Sequence, residues 1–250
     1  MDELKRATDE LGAPCILKTA DYGYDGKGQV RIEATGDPAA AWSQMGRPLG
    51  VLEGFVHFTK EISVICARTR GGETRCFTPA ENLHTRHILD ITIAPADISP
   101  SVARDAIDLA TGIAQALDVV GLIAVEMFRV GEDQLIVNEL APRPHNSGHF
   151  TFDACVTSQF EQQLRAVCDL PLGDPALLKP AAMANLLGDE WADGEPTWPA
   201  ALAHAAVKLH LYGKEHPKPG RKMGHLTALA DTTAEARAIV LAARAALRAR

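Results

Sequence analysis

Two apolar runs, Leu122-Ile-Ala-Val-Glu-Met-Phe-Arg-Val130 and Leu135-Ile-Val137, are separated only by Gly131-Glu-Asp-Gln134. So short a polar spacer forces the chain to reverse on itself, which predicts an antiparallel hairpin. With Val130 facing Leu135, paired positions sum to 265 and Glu126 falls opposite Glu139. Opposed residues share a face with Cβ atoms roughly 4.5–5.5 Å apart, where like charges repel. Two buried carboxylates so placed must share a proton or hold a cation. Hard ions such as Mg²⁺ favour carboxylate oxygens and bridge them to phosphates. The alternative is that one glutamate turns to solvent.

The second run leads into Asn138-Glu-Leu-Ala-Pro-Arg-Pro-His-Asn-Ser-Gly-His149, too polar to continue as a core strand. It reads as a loop stiffened by Pro142 and Pro144 that packs an acid, an arginine, two histidines and two asparagines into twelve positions. Upstream, Pro14-Cys-Ile-Leu-Lys-Thr19 reads as a short strand. Val30-Arg-Ile32 is its return, and between them lies Asp21-Tyr-Gly-Tyr-Asp-Gly-Lys-Gly-Gln29. Asp25-Gly26 is a hairpin-turn dipeptide. Three glycines around Lys27 also describe a loop whose backbone N–H groups can cradle an anion. It is not a Walker A loop, because position 21 is Asp and Gly follows Lys27. A second basic turn, with Lys208, Lys214, Lys218, Arg221 and Lys222 in and around it, suits either a solvated tip or a grip on a substrate phosphate.

A net charge of -7 and a pI near 5.7 exclude a nucleic-acid binder that works by neutralising phosphates. They leave room for a nucleotide site with local Lys and Arg. The five cysteines form no close pair, which points to free thiols in a reducing, cytoplasmic compartment. No run approaches the roughly 20 apolar residues of a membrane span. Helices are expected at 2–11, closed by Gly12, and at 37–45. A third is expected after Ser99-Pro100 with Val102, Ala106, Leu109, Ile113 and Leu117 on one face. A fourth spans 153–168 with Val156, Phe160, Leu164 and Val167 inward, and a last follows the capping box Thr232-x-x-Glu235. Strands are expected at 51–58, 61–67, 74–78, 88–93, 183–187, 207–212 and 223–229, with a polar loop at 81–87.

Taken together, Gly23-Tyr-Asp-Gly-Lys-Gly-Gln29, the 138–149 stretch, Ser158-Gln-Phe-Glu161 and Pro219-Gly-Arg-Lys-Met-Gly-His-Leu226 resemble the 5-(carboxyamino)imidazole ribonucleotide synthases of purine biosynthesis. The resemblance covers nearly the whole chain. It implies an α+β ATP-grasp fold with mainly antiparallel sheets in two subdomains, residues 1–70 and 71–180, and a small β-rich part at 181–250. It implies ATP contacts at Lys18, Gly23, Tyr24, Asp25, Gly26, Lys27, Gly28, Gln29, Glu53, Gly54, Phe55, Val56, Glu61, His84, Asn138 and Glu139. Mg²⁺ would be held by Glu126 and Glu139. Aminoimidazole ribonucleotide would meet Tyr24, Asp25, Arg143, His145 and Asn146, with Lys214 and Arg221 on its phosphate. Asp25, Lys27, Arg143 and His145 are the catalytic candidates. The implied reaction activates bicarbonate with ATP as carboxyphosphate and passes the carboxyl to the ribonucleotide amine, directly or through CO₂, in a homodimer.

The family carries a further N-terminal α/β domain of roughly a hundred residues, which this chain lacks, so it reads as a fragment or half of a split enzyme. His87 stands where the family's loop has glycine. Two other readings are another ATP-grasp carboxylate–amine ligase and a silent nucleotide-binding or dimerisation module.

Overall fold

In the computed structural model, described over residues 2–21, 28–46 and 48–248, chain packing separates two units. They are residues 1–57 with 86–88, and residues 58–85 with 89–250.

In the first unit, α1 (Asp2–Leu11) stops at Gly12, which adopts φ +78° and bonds its N–H to the Thr8 carbonyl at 3.0 Å. That left-handed turn is open to glycine at no steric cost. Strand β1 (Cys15–Thr19) lies between β2 (Gln29–Ile32) and β3 (Gly50–Gly54), both antiparallel to it. Helix α2 (Pro38–Met45) is capped by Asp37, which accepts from the Ala39 N–H at 2.9 Å. Leu4, Cys15, Leu17, Ile32, Ala41 and Met45 form the core. Strand β3 ends earlier than the predicted 51–58, since its ladder runs out at Pro14, which has no N–H to donate.

The second unit is built on a nine-stranded sheet. Its elements in chain order are β4 (Lys60–Arg68), β5 (Thr74–Cys76), β6 (Ala80–Thr85), β7 (Ile88–Ala94), α3 (Pro100–Ala116), β8 (Gly121–Val130), β9 (Gln134–Ala141), α4 (Thr151–Ala154), α5 (Gln159–Val167), β10 (Ala181–Leu187), α6 (Trp198–Leu202), β11 (Val207–Leu211), β12 (Lys222–Leu229) and α7 (Thr233–Ala246). The sheet runs β11-β12-β10-β7-β6-β4-β8-β9, with β5 added on β4. Strand β10 pairs antiparallel with β7, so the C-terminal strands extend the same sheet.

Alternation on β4 and β8 sorts the core into two faces. Val64, Cys66, Ile123, Val125 and Met127 pack with Ala106, Ala110 and Ala114 of α3. Ile65, Ala67, Leu122, Ala124 and Met183 meet Phe150, Ala154 and Ala166 on the other side. Ser99 caps α3 ahead of Pro100, and Thr232 caps α7 through the Glu235 N–H, as their sequences predict. Leu117, expected on the buried face of α3, is exposed just beyond the helix end.

Two expectations are corrected. Residues 80–85 form strand β6 rather than a polar loop, because Asn82 points inward and takes a hydrogen bond from Thr92 at 3.0 Å. The expected helix at 153–168 is two helices. Val156 and Thr157 bond across to the Ala176 and Asp174 carbonyls, and Ser158 starts α5 afresh. The face expected inside is exposed at Val156, Phe160, Leu164 and Val167; Gln159, Gln162 and Ala166 are buried instead.

Candidate functional site

Along the sheet face that carries Ile65 and Ala124, the side chains turn from apolar to charged. Two residues before Ile65 stands Ser63, and two before that Glu61. Glu126 follows Ala124 at the same spacing, and Glu139 precedes Ala141. The ladder sets Ser63 opposite Glu126 and Glu126 opposite Glu139, so one row crosses β4, β8 and β9. The pairing of the two acids matches the register predicted from sequence, but by a different path. Val130 faces Gln134 rather than Leu135, and the ladder slips by one between Glu126 and Met127, leaving Asn138 as the extra residue of a bulge.

The two acids differ in environment. Glu126 has a side chain only 16% exposed, whereas Glu139 is exposed on β9 at the sheet edge. The expectation of two buried carboxylates is corrected to one. Burial first, and then the charge of Glu139, push the Glu126 carboxyl up to about 7, although His84 and Lys222 draw it down.

Glu61 is hydrogen-bonded to His84 Nδ1, reaching from β4 to β6. Burial acts against protonation of that imidazole, yet the bond and charge of Glu61, with the charge of Glu126, carry its pKa above the usual value.

His145 approaches Glu126 from the loop above, with Nε2 3.6 Å from Oε1. Burial, then Arg143 and Lys222, pull the His145 pKa down to about 4, so this contact is not an ion pair at neutral pH. Its tautomer follows from its neighbours. Ser63 donates to the Ser147 hydroxyl at 2.9 Å, and that hydroxyl lies 2.8 Å from His145 Nδ1. The Ser147 N–H also points at Nδ1, at 3.4 Å. The ring proton therefore sits on Nε2, facing the acids.

The loop is held by a residue to which sequence reading gave no role. Gln159, fully buried on α5, accepts from the His145 N–H at 2.9 Å and donates to the His145 carbonyl at 2.8 Å. The same amide donates to His149 Nδ1 at 2.8 Å. Gly148 must be glycine for this clasp, since a Cβ there would lie 2.7 Å from Gln159 Oε1. The second addition is Lys222, whose charge acts on His84, Glu126, His145 and His149 together. Its place in a run of basic residues was legible; its approach to this cluster depends on the β12 fold.

The remaining second-unit candidates are more dispersed. Asn146 is locked in a reciprocal amide pair with Asn185, at 3.0 and 2.6 Å. Arg143 is exposed, with Nη1 on the Pro144 carbonyl at 3.1 Å. On the β11–β12 connection, Lys214 Nζ contacts the Lys222 carbonyl at 2.5 Å, and Arg221 donates to the His216 carbonyl at 2.8 Å.

In the first unit, Lys18 pairs with Glu53 at 2.6 Å. Gln29 stands opposite Lys18, and Gly28, at φ +77°, accepts from the Thr19 N–H at 2.8 Å. Phe55, after β3, carries the Arg31 guanidinium 4.2 Å from its ring centre, and Gly54 and Val56 flank it. Gly23, Tyr24, Asp25, Gly26 and Lys27 lie outside the described residues. Arg86 and His87 have φ +52° and +64°; the position where the resemblance expects glycine thus has the backbone that favours it. Among the described residues, no helix is long and apolar enough to cross a membrane.

Residues 1–160 match the ATP-grasp domain family, and residues 181–239 match the phosphoribosylaminoimidazole carboxylase C-terminal domain. The N5-carboxyaminoimidazole ribonucleotide synthase of Bacillus subtilis is 51% identical over 228 residues, which cover 90% of this chain and 59% of that protein. An ADP complex of an N5-carboxyaminoimidazole ribonucleotide synthetase superposes with a TM-score of 0.88 at 43% identity, covering 97% of this chain and 63% of that one. The Aspergillus clavatus synthase, solved with ADP and 5-aminoimidazole ribonucleotide, gives a TM-score of 0.86 at 32% identity, covering 98% and 65%. The chain thus spans about three-fifths of the length of these relatives.

Proposed function

This chain belongs to the ATP-grasp family, and from that premise we propose that it carries the ATP-grasp and C-terminal parts of an N5-carboxyaminoimidazole ribonucleotide synthase. The carrying observation is the cluster of Glu61/His84, Glu126, Glu139 and His145, in a chain whose relatives bear that name.

The donor set suits Mg²⁺. Glu126 and Glu139 offer adjacent hard oxygens, and a carboxyl held near 7 by burial and a like charge is short of a cation. Bound there, the ion would neutralise phosphate oxygens during transfer. We assign ATP contact to Lys18, Gly23–Gln29, Glu53–Val56, Glu61, His84, Asn138 and Glu139. Tyr24, Asp25, Arg143, His145, Asn146, Lys214 and Arg221 are assigned to the ribonucleotide. A bicarbonate oxygen attacks the γ-phosphorus of ATP, forming carboxyphosphate and releasing ADP. The ribonucleotide amine then takes the carboxyl carbon, and phosphate leaves.

His145 enters this sequence as a neutral donor. Its Nε2–H can hold a carboxyl or phosphate oxygen without adding a full charge, and Gln159 and Ser147 fix its direction. We further assign the chain to a cytoplasmic homodimer, with residues 1–70, 71–180 and 181–250 as its functional parts.

ADP release with Mg²⁺, ATP and bicarbonate, with and without the ribonucleotide, tests the reading. Release should depend on the ribonucleotide and disappear in Glu139→Gln with the fold intact. ADP release indifferent to the ribonucleotide would remove the substrate assignment, and unimpaired turnover in the variant would remove the metal role.

A further inference from the structure

At the other end of the sheet lie polar side chains that the proposed chemistry leaves unused. His210 on β11 lies directly opposite His225 on β12, and Asp153 reaches over from α4. Asp153 Oδ2 and His210 Nε2 are 2.8 Å apart. One ligand atom from each of the three residues falls within 4.8 Å of the others. His225 is only 3% exposed, and its Nε2 is buried without a hydrogen-bond partner among the described residues. A stranded polar atom of this kind has lost its hydration without a compensating hydrogen bond, so it calls for an occupant.

The second nitrogen of His225 supplies the tautomer. Nδ1 lies 2.9 Å from the Tyr212 hydroxyl. When Nδ1–H donates to that oxygen, Nε2 presents a lone pair to the Asp153–His210 pair. Metal-bound histidines commonly spend their second nitrogen in this way. Burial also holds His225 in its neutral form, with its pKa pulled down to about 3. His149 lies close, its ring centre 5.3 Å from that of His225. It is not a ligand, because Gln159 donates to its Nδ1 and leaves the proton on Nε2.

We propose that Asp153, His210 and His225 form a site for one Zn²⁺-class ion, which staples α4 to the β11–β12 hairpin. Two imidazoles and one carboxylate suit a borderline transition metal and disfavour Mg²⁺. They leave a fourth position for water. Without the ion, the His210 and His225 rings stack at 4.6 Å with planes 14° apart. Loading therefore turns one ring until both lone pairs converge, and moves the His210 ring proton from Nε2, where it faces Asp153, to Nδ1. The staple anchors the hairpin that carries Lys214 and Arg221, but the site does not depend on the proposed reaction.

The test titrates Zn²⁺ into the chelator-treated full chain by calorimetry, with excess Mg²⁺ present to occupy the carboxylate pair. Co²⁺ serves as the spectroscopic probe. One ion should bind per chain, and Zn²⁺ should raise the melting temperature. Asp153→Asn and His210→Gln should each weaken binding at least tenfold, the lower end of what outer-shell changes alone cost, with unchanged far-ultraviolet circular dichroism. Co²⁺ should give the visible bands of a low-coordinate nitrogen and oxygen site. Wild-type affinity in both variants, thiolate charge-transfer bands from cysteine ligation, or no binding would each overturn the proposal. Asp153→Asn is nearly isosteric, so it keeps the test decisive if His210→Gln fails to fold.

Discussion

Replacing Glu126 by Gln should make the metal-free protein more stable at alkaline pH, by an amount that the environment of the carboxyl sets. In the folded chain Glu126 keeps its proton to about pH 7, whereas its ordinary value is 4.5. Between those values the folded state binds more protons than the unfolded state, so unfolding free energy falls as pH rises. At roughly 1.4 kcal/mol per pH unit, this one group removes about 3 kcal/mol between pH 4.5 and pH 7. Its side chain is mostly buried, so solvent does not screen most of that effect. Glutamine keeps the shape and cannot ionise.

Urea unfolding in chelator should therefore show wild type and Glu126→Gln nearly equal at pH 4, with the variant ahead by about 3 kcal/mol at pH 8. Adding Mg²⁺ at pH 8 should recover stability in the wild type only. A difference that does not change with pH would mean that burial and Glu139 do not hold the proton on Glu126. A less stable variant at pH 8 would mean that a cationic side chain already satisfies the Glu126 carboxylate.

Other consequences can be measured separately. Gln159→Ala should lower stability by about 2–4 kcal/mol, because it strands the His145 backbone N–H and carbonyl and opens a small cavity; thermal melts read this directly. Nitrogen NMR should find His145 neutral above about pH 5 with its proton on Nε2, and a ring that titrates near 6.5 would contradict its burial. His87→Gly should raise stability by about 1 kcal/mol by relieving the left-handed backbone at φ +64°, and denaturant midpoints check it.

The acid pair was legible in the sequence because a short spacer between apolar runs leaves few registers. Even so, the sequence register was right at Glu126 and Glu139 only because the bulge at Asn138 compensates for a tighter turn. Caps were equally legible, since Ser99, Thr232 and Gly12 act within one helical turn of themselves. Helix α5 was misread for a tertiary reason. Its apolar side chains mark the exposed face, while Gln159 and Gln162 go inside to satisfy loop backbone groups, Gln162 bonding both the N–H and the carbonyl of Gly173 at 2.8 Å. Lys222 and the Ser63–Ser147–His145 relay were illegible because each joins segments far apart in the chain.

We propose that the site built around Glu126, Glu139 and His145 moves a bicarbonate carbon onto a ribonucleotide amine at the expense of ATP. Carbon NMR of the chain with ¹³C-bicarbonate, Mg²⁺, ATP and 5-aminoimidazole ribonucleotide tests this directly. A new carbamate carbon signal is expected, one that requires all four components and is lost in Glu139→Gln. Label that stays in bicarbonate while ADP accumulates would contradict it.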